Sequence, residues 1–325
     1  MSIWKAFLKK LGAIGEALIW LLYFICADYA VYLIFELLKI DRSIYKGTFN
    51  FCSCVLIFTV MFVISKLLSI KNEPLVKTSR LKPGQVGAIL IIAMGMLGFV
   101  TLYIIVADKI ATYIKSLQQV MDDYRDSVDR FSDAPQVIVP VWDTVLYVFN
   151  LCFIVPLAEE MTFRAVIYGR LRRAFKPWSA VIISALIFGS LHGISVHIGY
   201  AIVCGILIAA CYYLTDSIVA PVILHMIFNL LGSGVATFMS VEEFGFPQGI
   251  ASNIMLNVNT ISLMMMPMAV LAYTYLVIVK RKKDKEAKSL EEASVVQVEL
   301  VGEADDVSEE NTDVQSNISD LEAKK

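Results

Sequence analysis

Three short strings in this chain carry the side chains best suited to chemistry: Glu159-Glu160-Met161-Thr162-Phe163-Arg164, Phe188-Gly189-Ser190-Leu191-His192 and His225-Met226-Ile227-Phe228-Asn229. Each lies in an apolar run. An ionisable group inside a bilayer is expensive, so each is a functional candidate by default. Carboxylates and imidazoles can move protons or bind a metal ion, and an amide can donate hydrogen bonds. Glu160 and Arg164 have opposite sign and stand four residues apart, on one helix face. Consecutive helical residues point about 100° apart, so Glu160 is the natural partner of Arg164 and Glu159 faces elsewhere. Phe188 shares a face with His192, and His225 with Asn229, while Gly189 and Ser190 allow a neighbouring helix to come close. Taken singly, the first string reads equally as an ion-pair lock, and either histidine as a satisfied inter-helix hydrogen bonder.

The composition says what must position these groups. Of 325 residues, 58% are hydrophobic and 18% charged, with a mean hydropathy of +0.68; soluble domains run at about 45–50% and 25%. An ordinary soluble enzyme, a disulfide-stapled secreted module and a nucleic-acid reader with a broad basic face are excluded. Eight stretches are apolar enough to cross a bilayer: about 12–38, 48–66, 84–107, 144–170, 178–196, 198–215, 218–240 and 253–279. The expected fold is therefore all-α, a polytopic membrane protein of eight helices. With the N-terminus inside, the cytoplasmic segments hold 19 Lys/Arg and the outer loops 7, the bias expected when both termini are cytoplasmic. The N-terminal run reads as a retained anchor, and the Leu-Glu-Ala-Lys-Lys ending carries no prenylation signal.

Depth brings the strings together. At about 1.5 Å per residue, Glu159 lies roughly 16 Å from Arg170, His192 roughly 21 Å from Trp178, and His225 and Asn229 roughly 14 and 20 Å from Asp216. All four fall near mid-bilayer, which implies one shared intramembrane site.

The remaining features are expected to be structural. Residues 1–143 read as N-terminal membrane helices whose third continues out of the membrane as an amphipathic extension through Ile110, Tyr113, Ile114, Leu117 and Val120. Residues 144–240 hold the three strings, 241–283 the last membrane helix and its basic stop, and 284–325 an acidic, disordered cytoplasmic tail. Glu16, Glu36 and Asp216 lie near helix ends, and Asp28 is expected to hydrogen-bond a neighbouring helix. His197 reads as interfacial, Met264-Met265-Met266 as packing, and the six cysteines as buried small residues without Cys-x-x-Cys spacing.

The three strings resemble the motifs of the CAAX-protease and bacteriocin-processing (CPBP, or abortive-infection) family of intramembrane proteases, which includes the type II CAAX prenyl endopeptidases. Glu159 to Arg164 matches its Glu-Glu-x-x-x-Arg, Phe188 to His192 its Phe-x-x-x-His, and His225 to Asn229 its His-x-x-x-Asn/Asp. The match covers roughly 144–240. It implies an eight-helix body around a water-filled cavity and glutamate-dependent peptide-bond hydrolysis. Glu159 with His192 would activate water, His225 with Asn229 would donate to the oxyanion, and Glu160, Arg164 and Phe188 would support them. Amide hydrolysis requires such a base and such donors. No cofactor is implied. Zinc at the Glu/His/His set is the alternative, though the His-Glu-x-x-His helix of a strong zinc site is missing. The expected partners are a membrane-associated or lipidated peptide or protein substrate and the lipid bilayer, in a bacterial plasma membrane, with no nucleic acid and no oligomeric state indicated. A non-catalytic scaffold or peptide-toxin immunity protein of the same fold is the competing reading, and a proton-coupled transporter a weaker one.

Overall fold

The computed structural model describes residues 3–70, 74–129, 139–192, 196–247 and 249–322. Among these the chain is built from helices: α1 (Ile3–Leu37), α2 (Lys46–Leu67), α3 (Pro83–Ala111), α4 (Lys115–Asp129), α5 (Val141–Arg172), α6 (Pro177–Ser190), α7 (Val196–Thr215), α8 (Val219–Met239) and α9 (Ile250–Glu322). The described residues contain no strand beyond a lone bridge between Thr78 and Ser217. Seven helices are long and apolar enough to cross a membrane, and α6 is a shorter apolar one. All eight expected stretches therefore return as helices of an all-α polytopic membrane fold.

Two of them differ from expectation in ways that matter. The fifth stretch stops at Ser190 and does not continue to 196. Gly189 and Ser190 are poor helix formers, and the last turn tightens through Leu191 N to Phe188 O (3.3 Å) and His192 N to Gly189 O (3.0 Å). His192 thus sits on a turn, not within a helix; part of the joint to α7, 193–195, lies outside the described residues. The outer extension of the third helix is a separate helix, α4, that folds back. Thr112 closes α3 through its hydroxyl on Lys109 O (2.7 Å). The apolar face of α4 then buries Met121 against Ala111 and Val196, with Leu117, Val120 and Tyr124 packed around them. Burial there raises the Tyr124 phenol above its ordinary range. The rest of that loop, 130–138, lies outside the described residues.

Residues up to Leu276 form one compact unit, and Val277–Lys325 a second. Within the second, α9 runs on through 284–322, the stretch expected as a disordered tail. Pairs four residues apart, Lys280–Asp284 (3.1 Å) and Lys288–Glu292 (3.5 Å), are of the kind that supports a solvated helix. The last three residues lie outside the described range.

In the first unit the core has two parts. One joins α1, α5, α6 and α7 through Ala17, Phe163, Ile167, Tyr168, Leu171, Val181 and Tyr212. The other joins α1, α2 and α5 through Ala27, Ile57, Met61, Ala158 and Val166. Small residues permit close approach: a Cβ on Gly189 would meet the Ile202 side chain at 2.3 Å, so α6 and α7 lie nearly backbone to backbone there. Leucines 18, 22 and 33 on α1, with Ile182 and Leu186 on α6, stay exposed as a lipid-facing exterior.

Polar clamps fix the two ends of this bundle. At one end, segment 74–82 is stitched to the α7–α8 turn by Ile218 N to Lys77 O (2.8 Å), Tyr212 Oη to Leu75 O (3.2 Å) and the Lys77–Asp216 ion pair (2.8 Å). Arg170 pairs with Glu16 at the same end. Asp28 stands exposed on α1. At the other end, the buried Asp143 carboxylate caps α2 from another helix. It accepts from Gly47 N (2.6 Å), Thr48 N (2.8 Å) and Thr48 Oγ1 (2.6 Å). Position 47 must be glycine, since a Cβ would lie 2.1 Å from Asp143 O. Asp143→Ala leaves these donors unpaired at about 1–3 kcal/mol each. It should therefore lower the thermal unfolding midpoint of the detergent-solubilised protein clearly, with Asp143→Asn in between.

Candidate active site

The first string sits where α5 loses its regularity. α5 contains two π-helical segments, Asn150–Ile154 and Met161–Tyr168, and α8 contains a third, Leu230–Gly234. Such widened turns are rare and cluster at functional sites. The second begins directly after Glu160, and the third directly after Asn229.

Glu160 and Arg164 pair as expected, with Nη1 2.8 Å from Oε1, and both side chains are buried to 1% exposure or less. The guanidinium also donates to Gly205 O of α7 (3.4 Å) and lies 4.6 Å from the centre of the Phe188 ring. Phe188 is a hub: it meets Phe163 edge-on at 5.1 Å, His192 at 4.7 Å and His225 at 6.3 Å. One arginine thereby joins α5, α6 and α7.

His225 joins α8 to the same group. Its Nδ1 lies 2.8 Å from Glu160 Oε1, and its Nε2 lies 3.6 Å from Glu159 Oε2. Both glutamates therefore meet through one imidazole, a contact that spacing along the chain did not predict. Glu160 is wholly buried, whereas the Glu159 side chain keeps 18% exposure. Asn229 gives one Nδ2 hydrogen to Leu151 O in the first π segment (2.9 Å). His192 has Nδ1 3.1 Å from Phe188 O.

Glu159, His192, His225 and Asn229 line one cavity of about 280 Å³, together with Phe188. Glu160 and Arg164 are not in its lining; they lie buried behind it. Leu151, Val155, Tyr200, Ala201, Cys204, Ile208, Phe228 and Ser233 complete the wall. Sequence reasoning missed these, although Tyr200, Cys204 and Ile208 recur at four-residue steps on α7. That periodicity is the same for any packed helix. His197 meets Tyr124 edge-on (4.9 Å) and a tilted Tyr200 ring (5.5 Å) and is not part of the wall.

The arrangement can place a carboxylate, two imidazoles and an amide around one small substrate group. A zinc site would need at least three ligands converging on one point. Among the described residues no group of three or more His, Cys, Asp or Glu side chains is placed to hold a metal ion.

Residues 141–231, the span that builds this cavity from α5 to α8, match the family model described as type II CAAX prenyl endopeptidase Rce1-like. Two curated relatives align with the chain. The protein named "Putative membrane peptidase YdiL" of Bacillus subtilis (strain 168) is 28% identical over 134 residues, 41% of this chain and 55% of the relative. The protein named "Membrane-embedded CAAX protease MroQ" of Staphylococcus aureus (strain USA300) is 30% identical over 151 residues, 43% of this chain and 56% of the relative. The chain thus spans about half the length of the curated relatives it matches. No solved structure matches it.

The buried pair behind the cavity has a direct energetic consequence. Removing one partner of a buried ion pair leaves the other charge uncompensated, at about 3–5 kcal/mol. Arg164→Ala is accordingly expected to unfold at much lower temperature than the wild type; an unchanged midpoint would show that the pair does not hold the site together.

Proposed function

We propose, from the match of residues 141–231 to the Rce1-like CAAX prenyl endopeptidase model and the likeness to two membrane peptidases, that this chain is a membrane endopeptidase of the CPBP/CAAX protease family that hydrolyses a peptide bond with water activated by Glu159. The observation that carries the reading is the convergence of Glu159, His192, His225 and Asn229, from three separate strings, on one cavity.

Glu159 is the carboxylate exposed to that cavity, and it takes a proton from a water molecule held between it and His192. The hydroxide adds to the carbonyl carbon, and the carbonyl π electrons move onto oxygen. Asn229 donates its second Nδ2 hydrogen to that oxyanion. His225 is held from behind by Glu160, with Nδ1 on the buried carboxylate, so that Nε2 faces the cavity side. From Nε2 it donates a second hydrogen bond to the same oxyanion. The C–N bond then breaks, and the Glu159 carboxylic acid passes its proton to the leaving nitrogen. A carboxylic acid and an amine are released, and Glu159 returns as the carboxylate. Donors fixed before reaction cost no reorganisation when charge develops. Arg164 and Phe188 act here through others: they position Glu160, His192 and His225 and touch no reacting atom.

The protein resides in the bilayer as a multi-pass chain. Its bias of Lys and Arg toward one end supports a cytoplasmic location for both termini, and both relatives come from bacteria.

General-base catalysis contributes about 10²–10⁴-fold. Glu159→Gln and His192→Ala are therefore expected to lower cleavage by about that factor while the protein still accumulates in the membrane. Comparing membrane proteomes of wild type and Glu159→Gln should reveal a substrate that stays uncleaved in the variant. Full activity of either variant would overturn the assignment. Chelators should leave activity intact; loss restored by added zinc would replace the glutamate mechanism with a metal one.

A further inference from the structure

The cavity has a direction, which its wall residues give when each is placed along its helix. On α5 the wall takes Leu151, Val155 and Glu159, the half running from the site toward Val141. On α7 it takes Tyr200, Ala201, Cys204 and Ile208, running from Ile208 toward Val196; on α8, His225, Phe228, Asn229 and Ser233, running from His225 toward Met239. α6 contributes Phe188 near its end, and His192 lies just beyond it. From its deepest residue on each helix, the wall runs toward the same end of the bundle.

The opposite side is closed. Below Glu160 come Phe163, Arg164, Ile167, Tyr168 and Leu171, each 1% exposed or less. This plug extends roughly 16 Å along α5 at about 1.5 Å per residue. Ser184 Oγ donates to Phe163 O (3.1 Å) across it, and segment 74–82 is clamped over Tyr212 beneath it. Exposure rises in the other direction, from Ile208 at 1% and His225 at 6% to the exposed Ser233. His225, Asn229 and Ser233 stand four residues apart and form a polar ladder up one wall, while Val155, Phe228 and Ile208 keep the rest apolar.

The closed end carries the basic segments around Lys77, Arg170, Arg172 and Lys176, which the charge bias assigns to the cytoplasm. We infer that the cavity is a well that opens toward the extracytoplasmic side, and that its substrate is a membrane-inserted or membrane-tethered peptide whose scissile bond is presented from that side. The volume suits this: about 280 Å³, just under the usual range of small-molecule sites, fits a short piece of peptide around one bond. A peptide tail offered from the cytoplasm would face the packed plug.

The substrate side rests on the protease reading, whereas the direction of the well does not, and two measurements separate them. Ser233→Cys and Lys176→Cys are compared with the parent chain for labelling by a membrane-impermeant maleimide, in right-side-out spheroplasts and in inside-out vesicles. Ser233→Cys should label only in spheroplasts and Lys176→Cys only in inside-out vesicles. Labelling of Ser233→Cys from the Lys176 face would overturn the inference, whether or not the protein cleaves anything. Mapping peptide termini in wild-type and Glu159→Gln membranes then tests the substrate. Glu159-dependent cuts should lie in extracytoplasmic segments of membrane proteins; cuts confined to cytoplasmic segments would overturn the inference. If no cut depends on Glu159, the protease reading fails and the labelling result alone decides the direction of the well.

Discussion

Arg164 places a full charge where almost no water reaches it, and much of the bundle is arranged around that fact. Coulombic attraction to Glu160 compensates the charge only when geometry and the remaining donors are satisfied together. The guanidinium therefore reaches Glu160 on its own helix, a carbonyl on α7 and an aromatic face on α6. Glu160, held in this way, fixes the imidazole of α8. A single electrostatic requirement thus sets the mutual placement of four helices. The cavity lies on the other side of His225.

Backbone irregularity follows the same map. In hydrocarbon every peptide group must be satisfied internally, so departures from the α-helix are tolerated only where protein or a water-filled cavity surrounds them. The three π-helical segments obey this. One supplies the carbonyl that Asn229 holds, one starts behind Glu160 and carries Arg164, and one starts after Asn229. The outer faces of α1 and α3, which meet lipid, are regular helix.

Local features were legible in the sequence, and long-range ones were not. The Glu160–Arg164 pair could be read because four residues on one helix are neighbours whatever the tertiary fold. The eight apolar stretches could be read because bilayer thickness sets their length. The clasp of His225 by both glutamates spans 65 residues from Glu160 and depends on how α5 and α8 cross, which no spacing encodes. Likewise Asp143 stands just ahead of the fourth apolar stretch, and nothing local points to its partners Gly47 and Thr48, nearly a hundred residues away. The early stop of α6 was hidden because Leu191 and Ile194 continue the apolar run beyond the helix. The fold-back of α4 was hidden because its apolar period is the same whether the helix leaves the bundle or returns to it.

The short α6 has a consequence for the membrane itself. Fourteen residues reach roughly 21 Å at about 1.5 Å each, whereas the hydrocarbon layer is about 30 Å thick. A hydrophobic segment too short for its bilayer is accommodated by local thinning, at a cost that grows with each ångström of mismatch. Here the shortfall falls at Ser190–His192, beside the cavity wall. Acyl-chain length thereby becomes a variable of the site: a thin bilayer brings headgroups and water to the end of α6, and a thick one buries it. Lipid composition in this way bears on how much water reaches His192 from the bilayer side.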